Sequence, residues 1–369
     1  MTLTERRRLA ARRLAALGLT TPLADRTPAG VVRALGALQA QDLASGLWSL
    51  GLRTGGGLPE VLGALERGEV VRTWPMRGTL HWVPGRDAAW MCALLAAPAM
   101  RAAERVYAAV GVTGPILDRA GEIFTEELAG GRHLGRAELL DTVAARGVDV
   151  SGQRGYYLLV RHSQLGLLAQ GPVRSSGGPL EPTFGLLAEL VPDPARPGRD
   201  EARAMLVERF VRTHGPVTER DIARWCDQGL RAVRAGLAGT DGRVRGETIG
   251  DTAYLVHVDA PEPVTQPGAL LVPGFDEWLL GYGDRRAQLT LEQERHVVPG
   301  GNGMFRGTVV VGSLVVGTWR RGRPATSKRP EQLEVELFVP LSERARRAVQ
   351  DAAAEFGGFW ERPVAVEWR

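Results

Sequence analysis

The chain has 369 residues, more than one hydrophobic core usually organises, so we expect two to four domains. Its 44% hydrophobic and 24% charged residues describe a soluble globular protein, and no apolar run approaches the roughly 20 residues of a membrane span. The net charge is only +4, and the N-terminus lacks the apolar core of a secretory signal. We therefore predict a cytoplasmic protein without a membrane partner.

Several kinds of site are excluded by residue type and spacing. Cys92 and Cys226 are the two cysteines, they lie far apart, and two cannot supply a four-cysteine metal site. The six histidines show no ligand spacing, and we find no phosphate-binding loop, dinucleotide fingerprint or serine nucleophile elbow. We predict no metal, no disulfide and no cofactor.

The positive charge is unevenly placed. Five arginines crowd the first predicted helix, and a second basic run has no acid within it: Arg320, Arg321, Arg323, Lys328 and Arg329. Basic patches favour anionic partners, of which nucleic acid is the commonest, although each run could also be a solvated face. We take Arg320, Arg321 and Arg323 as candidate DNA contacts.

The first part of the chain alternates between helical and strand patterns. Helices are predicted at residues 4–17, 28–41 and 85–109, and a strand-rich segment at 70–84. Thr27 fits a helix N-cap followed by Pro28 at the first helical position, and Gly78 can supply a bend. Two helices followed by a short hairpin are the outline of a winged helix.

A weak internal repeat extends this outline. Residues 131–147 and 213–229 each contain a breaker, one apolar residue, a cap-like position (Thr218 in the second copy) and a helix ending in glycine. An amphipathic helix precedes each copy and a strand-like segment follows it: helices 116–129 and 200–213, strand-like segments 156–170 and 243–258. Three winged-helix units therefore fit residues 1 to about 258.

From about residue 259 the pattern changes to strands. We predict a hairpin at 308–319 with a type II′ turn at Gly312-Ser313, a strand at 332–340, a helix at 342–356 capped by Ser342, and a strand at 364–368. The expected fold is α+β, with three tandem winged-helix units and a C-terminal β-barrel. The expected boundaries are 1–115, 116–195, 196–258 and 259–369.

Two glutamines separated by one alanine, Gln39 and Gln41, end an otherwise apolar helical stretch. On an ideal helix, residues two apart point about 200° away from each other, so the pair can serve one site only if the helix ends there. A polar pair beside a buried segment needs partners. The alternative is two surface glutamines.

Four blocks resemble the AlkZ/YcaQ-type winged-helix DNA glycosylase family. They are the Gln-Ala-Gln triplet followed by Asp42, and residues 72–81, 271–285 and 316–319. The Gln/Gln pair is closest to the AlkZ branch, whereas the YcaQ branch carries Asp where this chain has Gln41. Asp42 remains the rival to Gln41 as the second functional group.

The resemblance implies a monofunctional DNA glycosylase that acts on double-stranded DNA, releases N7-alkylated purines and unhooks interstrand crosslinks. It implies a C-shaped arrangement of the winged-helix units, with Gln39 and Gln41 positioning the hydrolytic water, and a self-resistance role is open. The family's minor-groove hairpin would fall near residues 298–305 and flanking strands. We expect a monomer, and the near-absence of lysine argues against a Schiff-base lyase.

The remaining candidate residues have two interpretations each. Arg72 and Arg77 are either phosphate contacts or part of a solvated strand face, and His81 either touches DNA or is a packed histidine. We interpret Asp276 and Glu277 as structural or capping residues rather than a catalytic pair. The alternative function for the whole chain is a non-catalytic winged-helix DNA-binding protein, a regulator or a lesion sequestrant.

Overall fold

The computed structural model describes residues 1–175, 179–264, 268–301, 303–324 and 329–369. Its helices are α1 (Leu3–Ala16), α2 (Pro28–Leu35), α3 (Leu43–Thr54), α4 (Leu58–Glu66), α5 (Ala88–Leu95), α6 (Ala97–Ala109), α7 (Gly114–Leu128), α8 (Arg136–Ala145), α9 (Arg154–Gln164), α10 (Leu187–Leu190), α11 (Arg199–His214), α12 (Glu219–Cys226), α13 (Leu230–Ala238), α14 (Glu277–Leu280), α15 (Leu291–Val297) and α16 (Glu343–Phe359). Within the described ranges, none of these helices combines the length and apolarity needed to cross a bilayer.

The strands complete a mixed α+β fold. They are β1 (Leu38–Gln39), β2 (Val70–Met76), β3 (Thr79–Pro84), β4 (Leu134–Gly135), β5 (Leu168–Arg174), β6 (Glu181–Leu186), β7 (Val244–Ile249), β8 (Thr252–His257), β9 (Ala269–Val272), β10 (Gly307–Val311), β11 (Leu314–Arg321), β12 (Glu331–Leu337) and β13 (Val364–Trp368). The chain forms two compact units. The first contains Met1–Val61, Arg203–Trp225 and Gly229–Arg369, and the second contains Leu62–Ala202 and Cys226–Gln228.

A five-stranded sheet organises the C-terminal part of the first unit. Its strand order is β13-β12-β11-β10-β9, and β12 and β13 run parallel through the crossover helix α16. Because β13 and β9 form the two ends, the predicted barrel is present as a half-barrel. Ser342 caps α16 by accepting the N–H of Ala345, as the sequence predicts.

The β10–β11 turn differs from the prediction. A type II′ turn needs a positive φ only at its first central residue, but Gly312 and Ser313 have φ of 57° and 70°. Both values match the type I′ pattern, whose twist suits a two-residue hairpin equally well. The strands themselves pair at Val311 and Leu314, as a two-residue connection requires.

The second unit contains the 131–147 copy of the repeat. Its elements follow the order α7, β4, α8, α9, β5, β6, and β4 pairs with β6 beside β5. The predicted strand-like segment 156–170 is wrong in its first part, which forms α9. Leu158 and Leu159 are buried in the core from this helix, so tertiary packing overrides the strand preference of a Tyr- and Val-rich segment.

The second copy, in the first unit, has the same order of elements. Helix α11 leads to a bridge between Val217 and Leu255, then to α12, α13 and the β7–β8 hairpin. The predicted cap is confirmed, since Thr218 accepts the N–H of Asp221 at 3.1 Å. Helix, short strand, two helices and a hairpin thus occur twice; the sequence predicts the repeat but not its second helix, which is α9 in one copy and α13 in the other.

An ion pair ties α3 to the segment before α14. Arg53 donates two hydrogen bonds to Asp276, at 2.8 and 3.0 Å, and both side chains are buried. Burial alone would raise the pKa of Asp276, but the charge and hydrogen bonds of Arg53 outweigh it and lower this pKa below its usual value. This contact links residues near the N-terminus to the C-terminal sheet region.

Replacing Arg53 should therefore destabilise the protein strongly. In Arg53→Met the carboxylate of Asp276 stays buried without its cation, which we expect to lower the free energy of unfolding by about 3–5 kcal/mol at pH 7 in urea titrations. Because the folded pKa of Asp276 is depressed, the wild-type advantage should be present at neutral pH and shrink as acid protonates this group.

The control is Arg33→Met, which removes an exposed pair with Asp25 and should change stability by less than about 1 kcal/mol. Equal effects of the two variants would contradict a structural role for the buried pair.

Candidate active site

The Gln-Ala-Gln triplet occupies a break between two helices. The predicted helix 28–41 ends early, at Leu35, because Gly36 has a φ of 80° that other residues rarely adopt. The chain is then extended through Gln39, and α3 begins at Leu43. Gln41 lies in the bend between β1 and α3, so the obstacle that a continuous helix would impose on the pair is absent.

The two glutamines differ in exposure. Gln39 is half-buried, and its side-chain oxygen is fully buried without a hydrogen-bond partner among the described residues. Gln41 is exposed. An unsatisfied buried acceptor costs about 1–3 kcal/mol, which makes the Gln39 oxygen a strong candidate to accept from a water or a substrate group.

A buried carboxylate holds the backbone at Gln39. The N–H of Gln39 donates to Glu277 at 3.3 Å, and Glu277 also accepts the indole N–H of Trp225 at 2.9 Å and a bond from His214 at 3.3 Å. His214 in turn stacks on Phe210 with ring centroids 4.1 Å apart. Glu277 thereby links the backbone at Gln39 to His214 of α11 and Trp225 of α12, which are distant from it in sequence.

Asp42 has a structural role in this arrangement. Its side chain accepts the N–H of Ser45 at 2.7 Å and caps α3. A capping carboxylate keeps its position through the helix that it stabilises. This use of the side chain favours Gln41 over Asp42 as the second functional group.

Asp276 and Glu277 are confirmed as structural and capping residues. Asp276 caps α14 by accepting the N–H of Trp278, and Glu277 is the anchor of Gln39. The contact between Glu277 and Gln39 was not predicted, although both blocks carry the family resemblance. Pattern alone cannot show it, because the two residues lie more than two hundred positions apart.

The three candidates at the β2–β3 hairpin, Arg72, Arg77 and His81, belong to the second unit. Arg72 is buried and donates to Gln170 at 2.6 Å, so it does not lie on a solvated strand face. His81 is fully buried between the carbonyl of Thr79 and the guanidinium of Arg77, each at 2.9 Å. The alternative of a packed, satisfied histidine is therefore the one that describes His81.

Burial and the neighbouring guanidinium of Arg77 hold the pKa of His81 well below its usual value, against the opposing effect of the Thr79 carbonyl. In its neutral form His81 can donate from Nδ1 to Thr79 and accept at Nε2 from Arg77. The histidine thus orients Arg77, which is half-buried at the hairpin turn.

Two arginines of the second basic run are paired with acidic side chains that the sequence of the run does not contain. Arg320 and Arg321 in β11 form ion pairs with Glu334 and Glu331 of β12, at 2.5 and 2.6 Å. These acids arrive through strand pairing, which the sequence of the run does not contain. Arg323 is exposed, whereas Lys328 lies outside the described residues.

The segment predicted to contain the minor-groove hairpin, residues 298–305, has a strand on one side only. Residues 298–305 connect helix α15 to strand β10 and include a short 3₁₀ turn, Pro299–Gly301. The prediction of flanking strands is therefore wrong on its N-terminal side. Asn302 lies outside the described residues.

The buried histidine yields a test of pH dependence. Below about pH 6.5 the unfolded chain takes a proton that folded His81 resists, so stability should fall as the solution is acidified. We expect the drop in Tm between pH 7.5 and 5.5 to be smaller in His81→Asn than in wild type, as measured by calorimetry. Parallel pH profiles for the two proteins would show that His81 does not titrate as its surroundings indicate.

Comparisons with known proteins place this geometry in a family. The sequence model described as "DNA glycosylase AlkZ-like" matches residues 32–359. A curated relative from Streptomyces sahachiroi, "Interstrand DNA cross-link repair glycosylase", is 27% identical over 280 residues, 68% of this chain and 70% of the relative. The solved structure of Streptomyces sahachiroi DNA glycosylase AlkZ shares the fold, with a TM-score of 0.77 and 24% identity over 98% of this chain and 99% of that one. The chain therefore belongs to the AlkZ-like DNA glycosylase family, whose members hydrolyse N-glycosyl bonds.

Proposed function

We propose that this glycosylase releases N7-alkylated purines from double-stranded DNA, with Gln39 and Gln41 holding the water that attacks the sugar. The observation that carries the proposal is the state of Gln39. Its backbone is fixed by the buried carboxylate of Glu277, while its amide oxygen has no partner among the described residues. A fixed backbone with an unused acceptor suits the positioning of one small molecule.

The chemistry of the substrate explains why amides are sufficient. An N7-alkylated purine is a cation, so when the bond from C1′ to N9 breaks, the bonding electron pair neutralises the departing base. The sugar is left with oxocarbenium character and accepts a water at C1′. Positioning contributes up to about 7–11 kcal/mol in the best intramolecular cases.

The proton balance does not require a basic side chain. A glutamine amide donates and accepts hydrogen bonds but does not take up a proton at neutral pH. The water adds to an already cationic sugar, and its proton passes to bulk solvent afterwards. A site of this kind favours lesions that are already labile and leaves normal bases, which are poor leaving groups, intact.

The same reaction would also release interstrand crosslinks. The curated relative is named for the repair of interstrand DNA crosslinks. If a crosslink joins two purines through N7, hydrolysis at one purine separates the strands while leaving a single adduct. We include this activity in the proposal for the present chain.

We further propose that the two repeated sets of elements are winged-helix units that bind duplex DNA. The order helix, short strand, two helices and hairpin in α7–β6 and α11–β8 supports this assignment. In this proposal, residues 1–115 would form the first winged-helix domain, 116–195 the second and 196–258 the third, and 259–369 would form the C-terminal domain. We expect a cytoplasmic monomer.

Removal of either amide should abolish most of the excision. Gln39→Ala and Gln41→Ala should each slow single-turnover release of N7-methylguanine from a duplex by roughly 10²-fold, because the water loses a positioning group. Binding of the duplex, measured by fluorescence anisotropy, should stay near wild type. The matched control is Gln350→Ala, an exposed glutamine on α16. Wild-type rates in both motif variants would refute the proposed role.

The exposed arginine beyond β11 tests the DNA interface separately. If Arg323 neutralises one phosphate, Arg323→Ala should weaken duplex binding and reduce the slope of log K against log salt by about 0.9. The effect should be similar for different DNA sequences, because a phosphate contact carries no base information. Arg119→Ala, which removes an exposed arginine paired with Glu122, serves as control. An unchanged slope in Arg323→Ala would exclude this contact.

A further inference from the structure

A small cavity lined largely by aromatic side chains includes Asp42, the residue after Gln41, in its lining. It has a volume of about 200 Å³ and lies within the first unit, with Asp42 and Ala44 on one side. Asp42 is the residue after Gln41, so their Cα atoms are about 3.8 Å apart across one peptide bond. Neither glutamine is among the residues that line the cavity, but Asp42 joins the cavity to the motif through a single peptide bond.

Five aromatic side chains line this cavity: Trp48, Phe305, Trp319, Phe356 and Trp360. Trp48 and Trp319 both meet Phe356 edge-to-face, with ring centroids 5.2 Å apart. Their indole N–H groups are tied to the backbone carbonyls of Leu271 and Val272, at 2.7 and 2.8 Å. The wall is thus held in place by directed contacts as well as by packing.

The size of the cavity limits what it can hold. Pockets for drug-sized ligands usually measure roughly 300–1,000 Å³, so this one is suited to a single small ring system. Phe305 and Trp360 are the partly exposed aromatic side chains of the lining, whereas Trp48, Trp319 and Phe356 are buried behind them. Exposed aromatic surface favours planar rings over flexible chains, because stacked and edge-to-face contacts contribute about 0.5–1.5 kcal/mol beyond the area they bury. The expected occupant is a planar aromatic ring.

The cavity is also lined by positively charged side chains. Arg320 and Arg321 are among the lining residues, and Arg320 also lines an adjoining groove of about 610 Å³ whose charged residues are Arg306, Arg320, Arg369, Glu334 and Glu336. Glu334 neutralises part of this charge by pairing with Arg320 and Arg369. Cationic groups beside aromatic rings are the combination that binds a nucleotide through its phosphate and its ring.

We propose that this cavity receives a planar ring of the damaged nucleotide while the glutamines act at its sugar. The inference rests on the proposed function and names the part of the substrate that this site recognises. The ring has two possible sources, the alkylated purine itself turned out of the stack or an aromatic group carried on the alkyl substituent. Both sources offer the same chemistry to the aromatic wall.

The test uses three duplexes that differ only in the N7 substituent of one guanine: methyl, benzyl and cyclohexylmethyl. The last two have nearly the same size, but only benzyl is aromatic. If the substituent occupies the cavity, the wild-type protein should excise benzylguanine roughly tenfold more efficiently, by kcat/KM, than the cyclohexylmethyl analogue.

Phe305→Leu keeps an apolar side chain but removes an aromatic face, and the benzyl preference should then fall to about one. Ala44→Phe fills the cavity from α3 and should have the same effect, so the two variants check each other if one folds poorly. Phe338→Leu is the matched control, because Phe338 is a partly buried phenylalanine that does not line the cavity. It should retain the preference of the wild type.

The outcomes distinguish three cases: the cavity receives a ring of the substituent, it receives the purine, or it receives no ring. Loss confined to the benzyl substrate in Phe305→Leu assigns the ring to the substituent, whereas an equal loss on all three substrates assigns it to the purine. If neither variant changes any of the three efficiencies relative to Phe338→Leu, the cavity does not receive a ring and the inference is overturned. If wild type releases no N7-methylguanine, the proposed function itself fails.

Discussion

The buried carboxylate of Glu277 is the contact on which the candidate site depends. A charge that is removed from water costs several kcal/mol unless donors surround it, and here the donors are the backbone of Gln39 and the side chains of Trp225 and His214. Displacing any one of them would leave part of that cost uncompensated. The glutamine motif is therefore held in position by a long-range network, while its own backbone belongs to no helix.

The three carboxylates near the motif all take part in structural contacts. Asp276 is paired with Arg53, Glu277 is surrounded by three donors, and Asp42 caps α3. Each of these carboxylates thus has a structural partner in the described part of the chain. The remaining polar groups of the motif are uncharged amides, which agrees with a reaction in which the leaving group supplies the driving force and the protein supplies position.

Much of the secondary structure could be read from the sequence because its signals are local. The caps at Thr27 and Ser342 and the strand at residues 364–368 depend on a few neighbouring residues, and the structure has all of them. The end of α2 was missed because the apolar spacing continues past Gly36, whose φ of 80° overrides it. Helix α9 was missed because burial, not propensity, decided its conformation.

The candidate site was less predictable, for a physical reason. Its chemistry-bearing pair was visible as two glutamines, but the anchor at Glu277 and the acids that pair with Arg320 and Arg321 arrive through tertiary contacts. His81 likewise has an ordinary spacing in the sequence, and only its complete burial shows that it orients Arg77 and does not face solvent. Spacing reports which residues share a local element, and these contacts join different elements or depend on depth.

The two glutamine positions of the motif differ in burial and in backbone contacts. At position 39 the backbone is fixed to Glu277 and the side chain is half-buried, so the residue there must satisfy a defined environment. At position 41 the side chain is exposed and the next residue caps α3, so burial does not restrict the residue there as it does at position 39. In the YcaQ branch, which differs from this sequence at the second position, that position carries Asp. A carboxylate there could accept a proton that Gln41 cannot, which would extend hydrolysis to bases that leave less readily than a cationic purine. Under the proposed function, position 39 would set where the water is held, and position 41 would set which lesions that water can release.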